Sequence, residues 1–241
     1  MKIKDKILLD YEGLCEHGPI TIVAFGDSVT HGSMNEYNDY ENVYWNVLKK
    51  KLNRFRDYMP VNVINAGIGG ATAKQSLARL DSHVLSHNPD LVTVCFGLND
   101  VNAPLEDYLD SLKEIFERIQ AHGCDLIFMT PNSLNTSVAQ DTAHYLIGYA
   151  AQTADMQNNG KMDNYIYSAI DLAKSMNVPV CDCYSIWREM AKTQDVTKLL
   201  INRINHPTPR MHELFADELY KMIMGDEVNT KVSDSTMYRG E

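Results

Sequence analysis

A chain of 241 residues, 44% of them hydrophobic, can bury a full core in one domain. Its 22 Lys and Arg are scattered among 32 Asp and Glu, for a formal net charge of −10, so a basic stripe for tracking phosphates is missing and no nucleic-acid partner is expected. No stretch approaches the ~20 apolar residues of a membrane span, and residues 1–10 hold no apolar core for a signal peptide, so cytoplasm is the expected compartment.

The first apolar run, 20–25, stops abruptly at Gly26, and Asp27 and Ser28 follow. A buried strand that breaks this way lifts a hydroxyl above the sheet end. A helical period follows at 43–55, then a second strand at 61–65 that leads into the glycine-rich stretch 65–72 and a helix at 72–80. The third strand, 91–96, ends in Gly97-Leu98-Asn99-Asp100. Over 105–120, Leu109, Leu112, Ile115, Phe116 and Ile119 share one helical face, and Pro104 suits the helix start. A fourth strand at 126–130 precedes a polar segment, 132–160, which reads equally as a cap over the site mouth or as an inert surface excursion. A helix at 163–176 and a fifth strand at 178–182 complete the alternation. The last helix, 212–224, stops at Gly225, and the polar tail 226–241 has no period and is expected to be loose.

Short strands rich in β-branched residues, alternating with helices, predict a three-layer α/β domain around a five-stranded parallel sheet. One domain is expected over 1–241, with its core at about 20–224, and no internal repeat is present. Five cysteines, an odd number without framework spacing, read as reduced thiols. Alternation puts the sulfurs of Cys181 and Cys183 on one face, as core packing, while Asp182 between them orders a loop.

Ligands of an open parallel sheet bind at the carboxyl ends of its strands. Ser28 stands there, as a nucleophile or as a helix cap tied by Asp27 and Thr30. Asn99 offers a neutral amide donor for an oxyanion, or completes an ordinary turn. The glycines of 65–72 let backbone approach a bound group, or cradle a phosphate. Of eight histidines, His206 is the best base, in the Pro-flanked loop 205–209 that returns to the strand ends. His31 is too close to Ser28 in sequence to approach it in line, and His212 is read as packing or capping. His83 and His87 lie four apart on a predicted helix, but no third ligand accompanies them, so no metal site is expected.

With these blocks in order, at Gly26-Asp27-Ser28, 65–72, Gly97–Asp100 and His206-Pro207, the chain resembles the GDSL or SGNH hydrolase superfamily over about residues 20–224. The resemblance implies a flavodoxin-like fold, Ser28 as nucleophile, His206 as base, and an oxyanion hole from the Ser28 and Gly70 amides with the Asn99 side chain. Gly70 rather than Gly67 matches the family glycine, because it directly precedes Ala71-Thr72. Asp27 supports the loop. One position departs: where the family carries Asp three residues before the histidine, this chain has Arg203. The imidazole's partner is then a backbone carbonyl, the Asn202 side chain or an acid from elsewhere, such as Asp195. A neutral partner still sets the tautomer but stabilises the imidazolium less.

The expected reaction is hydrolysis of a carboxylic ester through an acyl-enzyme, without cofactor or metal, on a small-molecule or carbohydrate substrate with short acyl groups such as acetyl. Lysophospholipids, acyl thioesters and a catalytically weak binding protein are the alternatives. A different class, flavin or nucleotide binding by the Ser/Thr-rich first loop, has no use for Asn99 and His206 at two further strand ends.

Overall fold

The structure is a computed structural model and describes residues 3–55 and 59–231. Its strands are β1 (Ile20–Gly26), β2 (Val61–Gly67), β3 (Leu91–Cys95), β4 (Asp125–Met129) and β5 (Val180–Cys181), all parallel, in the order β2-β1-β3-β4-β5. The chain leaves β1 for β2 on one side and then crosses back to β3 on the other. The switch point therefore falls between the ends of β1 and β3, where this topology opens a crevice. β1 and β3 are buried along almost their whole length, which is why they read as near-continuous apolar runs, each interrupted by one threonine.

The helices are α1 (Ile3–Ile7), α2 (Tyr11–His17), α3 (Ser28–His31), α4 (Tyr44–Asn53), α5 (Ala73–Ser76), α6 (Leu80–His83), α7 (Leu105–His122), α8 (Ile147–Asn158), α9 (Lys161–Ser175), α10 (Cys183–Met190) and α11 (Pro209–Lys231). α4 packs on α11, and α7 packs between α5 and α9. α1 closes the opposite end of the sheet. There the Ile3 amide donates to Asp125, while Lys6, 7% exposed, pairs with Asp90 at 2.9 Å.

Four helices escape the periodicity argument: α1, α2, α8 and α10. The buried face of α8 is Ala150, Thr153, Ala154 and Gln157, too small and polar to show a hydrophobic period. Conversely, the helix expected at 72–80 is three short pieces, α5, a 3₁₀ turn at Leu77–Arg79 and α6. His83 ends α6, and His87 lies in a separate 3₁₀ turn beyond Val84, whose ψ of −68 follows a φ of −125. The two histidines thus do not share one helix, and the reading that placed them four apart on a helix is corrected. β5 is shorter than 178–182, because Asp182 turns to cap α10 by accepting from the Ser185 amide and hydroxyl. α11 is broken at Gly225, where φ is 61, as the stop there predicts, but helix resumes to Lys231. The rest of the expected loose tail lies outside the described residues.

Candidate active site

Two glycines allow the first turn of the site to form. Cβ atoms added at Gly26 and Gly67 would lie 2.1 Å from Thr30 Oγ1 and 2.3 Å from the His31 nitrogen. Only bare backbone lets α3 sit down on the ends of β1 and β2. Asp27 caps α3 by accepting from the Val29 amide at 2.9 Å, and Ser28 follows as its first residue, 7% exposed. Arg79 secures the same corner from behind. Its guanidinium stacks on Phe25 and donates to the carbonyls of Gly26 and Ala66, the last turns of two strands.

The histidine arrives from 178 residues away. His206 Nε2 lies 3.0 Å from Ser28 Oγ, and Nδ1 lies 2.5 Å from the Met34 carbonyl oxygen. A carbonyl only accepts, so Nδ1 carries the proton and Nε2 is free to accept from the serine hydroxyl. Burial lowers the His206 pKa from its ordinary 6.5, with the Met34 bond opposing. Of the three partners weighed from sequence, the backbone carbonyl is the one realised. Asn202 instead holds the histidine's own main chain, its Oδ1 accepting from the amides of Ile204, Asn205 and His206. Asp195 caps a 3₁₀ turn through the Thr197 amide. Arg203, at φ 60 on the tip of the loop, forks onto Asp141 in the 132–160 segment.

That segment is not an inert excursion. Asn132 donates to the Asn205 carbonyl at 2.8 Å, the Asn135 amide donates to the Ile204 carbonyl at 2.9 Å, and the Thr136 amide donates to Thr197. It clamps the histidine loop from outside. Thr130, just before it, donates to the α10 cap at Asp182 and accepts from the Tyr184 amide.

Asn99 reaches the same corner through Asp27, the residue before Ser28. Its Nδ2 donates to the Ala71 carbonyl at 3.1 Å and, at 3.4 Å, to the Asp27 carboxylate. Asp100 next to it accepts from the Ala73 and Gly97 amides and so ties the β2 loop to the β3 loop. Burial raises Asp27 to about 7 and Asp100 to about 6. Gly70 is exposed at φ 75, and a Cβ there would meet open space. The Ser28 and Gly70 amides donate to no described residue. The arrangement offers an activated hydroxyl beside uncommitted N–H groups, the parts needed for acyl transfer.

The other candidates have structural roles. His31 bonds the Gly67 carbonyl and the Tyr40 hydroxyl. His212, fully buried, accepts from the Tyr44 amide and so caps α4, while its Nε2 has no partner among the described residues. Cys181 and Cys183 place their sulfurs 3.8 Å apart inside the core. Met34 is the one functional residue that sequence reasoning missed. Its contribution is a main-chain oxygen, which leaves no side-chain signature.

The model of the GDSL-like Lipase/Acylhydrolase family matches residues 24–214, a span that contains every residue just described. The chain is 28% identical over 222 residues to the uncharacterized lipoprotein YqeF of Bacillus subtilis (strain 168), covering 85% of this chain and 90% of that protein. A solved acetylxylan esterase from Geobacillus stearothermophilus has the same fold, with a TM-score of 0.67 at 21% identity, over 87% of this chain and 95% of that one. So does a lipase/acylhydrolase from Enterococcus faecalis, with a TM-score of 0.66 at 23% identity, over 86% and 96%. Solved catalytic mutants of the acetylxylan esterase include one in which a serine, and one in which an aspartate, is replaced by alanine.

Proposed function

The chain belongs to the GDSL-like Lipase/Acylhydrolase family and is a hydrolase acting on esters; from that premise we propose that it is a serine esterase working through an acyl-enzyme on short-acyl esters, acetyl groups on carbohydrate foremost. The observation that carries the reading is the 3.0 Å contact of Ser28 Oγ with an imidazole whose tautomer the Met34 carbonyl sets.

In this mechanism Ser28 attacks the ester carbonyl as His206 Nε2 takes its proton. The Ser28 and Gly70 amides hold the oxyanion, and Asn99 Nδ2 joins them by giving up its long 3.4 Å bond to Asp27. His206 then protonates the leaving alcohol, and water repeats the cycle from the same imidazole. Where the family resemblance implies an aspartate, this chain gives the imidazole a neutral carbonyl. Orientation is kept, while the imidazolium formed in the transition state has less charge stabilisation. The acyl preference is supported by the kinship to an acetylxylan esterase, 24% identical over 168 residues, and by the polar segment beside the site.

Labelling with a fluorophosphonate probe, followed by peptide mapping, tests the nucleophile without requiring the natural ester. The modification is expected on the peptide holding Ser28 and absent from Ser28→Ala. Labelling elsewhere, or none in a well-folded protein, sinks the assignment.

A further inference from the structure

We propose that Arg203 is a positioning residue for this reaction: its guanidinium, tied to Asp141, holds the histidine loop so that the imidazole stays between Ser28 and the Met34 carbonyl. The inference rests on the roles given to Ser28 and His206 above.

The loop is closed at its base. Leu200 and Pro207 form an antiparallel bridge there, and the Ile201 amide donates to the His206 carbonyl at 2.8 Å. Arg203 stands at the tip with φ at 60, in the left-handed region that suits glycine and is disfavoured for a large side chain. What offsets that strain is the guanidinium, all three of whose nitrogens donate. Nε and Nη2 fork onto the Asp141 carboxylate at 3.0 and 2.8 Å, and Nη1 reaches the carbonyls of Lys198 and Leu200 at 3.1 and 3.0 Å. One side chain thus ties the tip of the loop both to its own base and to the 132–160 segment.

A lone surface ion pair contributes little, but this one is a planar fork within a network, and the Arg203 side chain is only 27% exposed. The bond from Arg203 holds the Asp141 carboxyl below its ordinary range, so the pair stays charged around neutral pH.

The need for such an anchor follows from what stands behind the imidazole. A carboxylate would draw the ring into place with a charge-assisted bond, whereas the Met34 oxygen offers a neutral one. Alignment with Ser28 then depends on where the main chain puts the ring, and His206 lies three residues from the anchored tip. Asn202 shapes the loop from within, and Asn132 and Asn135 hold its returning arm through main-chain carbonyls. Arg203 fastens the tip.

Steady-state kinetics on p-nitrophenyl acetate, run well below the melting temperature, test the role. Arg203→Gly keeps the left-handed backbone and deletes the fork. Its kcat is expected to fall about tenfold with KM within about twofold of wild type, as for a catalytic group held out of position. Asp141→Asn leaves the carbonyl contacts in place and should lose less. The double variant is expected to be no slower than Arg203→Gly alone, because both changes remove one tie. Sodium chloride at about 1 M, where the Debye length is about 3 Å, should slow wild type and leave Asp141→Asn unchanged.

An ion pair with a structural role alone would shift the melting transition and leave kcat untouched. Wild-type kcat in Arg203→Gly therefore overturns the proposal, as does a loss confined to KM, or losses that multiply in the double variant. Should Arg203→Gly lose its melting transition, Asp141→Asn decides, and wild-type kcat with a wild-type salt response there overturns the proposal too. A wild type that neither labels with fluorophosphonate nor cleaves the ester fails at the nucleophile, and the positioning role falls with it. One that does both, while Arg203→Gly matches it, loses this inference alone.

Discussion

At the scale of single residues, the chemistry turns on one imidazole with a neutral partner. His206 works as a base only when unprotonated, and burial favours that form. Activity on p-nitrophenyl acetate is therefore expected to be full at pH 7 and to fall on the acid side with a midpoint below the ordinary histidine value of 6.5. A midpoint above 7 in the pH profile of kcat/KM would mean that a carboxylate, not the Met34 carbonyl, stabilises the imidazolium. Removing one oxyanion donor typically costs roughly 10²–10³-fold in turnover, so Asn99→Ala should slow kcat by that order while leaving fluorophosphonate labelling possible. Ser28→Ala should abolish both. Equal turnover by wild type and Ser28→Ala would refute the nucleophile.

At the scale of elements, the site is an assembly of strand ends held by caps and clamps. The α3 turn requires bare backbone beneath it, since a Cβ at Gly67 would sit 2.3 Å from the His31 nitrogen. Because that neighbour is backbone and cannot rotate away, Gly67→Ala is expected to destabilise by about 3 kcal/mol or more in denaturant unfolding. The histidine loop depends on Asn202, whose single oxygen serves three amides. Asn202→Ala strands those donors in a half-buried loop, at about 1–3 kcal/mol for each donor that water cannot reach. Its kcat on p-nitrophenyl acetate should fall about tenfold as the imidazole loses register, because a catalytic group held out of position loses rate steeply. An Asn202→Ala enzyme with wild-type kcat would show that the Met34 bond and the 132–141 clamp position the ring unaided.

At the scale of the whole molecule, buried titratable groups tie folding to pH. Burial lowers His212 to about 3. The folded protein thus refuses a proton that the unfolded chain accepts below its ordinary 6.5. The stability this group contributes is whole above 6.5 and drains as pH falls toward 3, by about 1.4 kcal/mol per pH unit. Asp27 and Asp100 act in the opposite sense. Raised to about 7 and about 6, they bind protons in the folded state that the unfolded chain has released above 3.8, so they favour folding as pH falls. A difference isolates the histidine. His212→Asn keeps an acceptor for the Tyr44 amide but cannot titrate, so the stability gap between wild type and variant should narrow from pH 6.5 to 4. Melting curves at those two pH values that keep a constant gap would show that His212 does not govern this dependence.

The fold was legible because buried parallel strands impose near-continuous apolar runs, and because the first three functional blocks follow the ends of such runs. Gly26-Asp27-Ser28, Gly97–Asp100 and the His206 loop are punctuation that the chain itself carries, so the sheet, the crevice and the residues meeting there were determined locally. What stands behind the imidazole was not. Arg203 stands where an acid is expected and leaves the partner open, and only the packing of the 32–39 turn against the histidine loop decides that it is the Met34 oxygen. α8 was invisible for a related reason: its buried face is Ala, Thr and Gln, and it is held by hydrogen bonds to Asn135 rather than by an apolar stripe. Local pattern records which side chains prefer burial, whereas a main-chain carbonyl or an amide network acquires its role only when distant segments are brought into register.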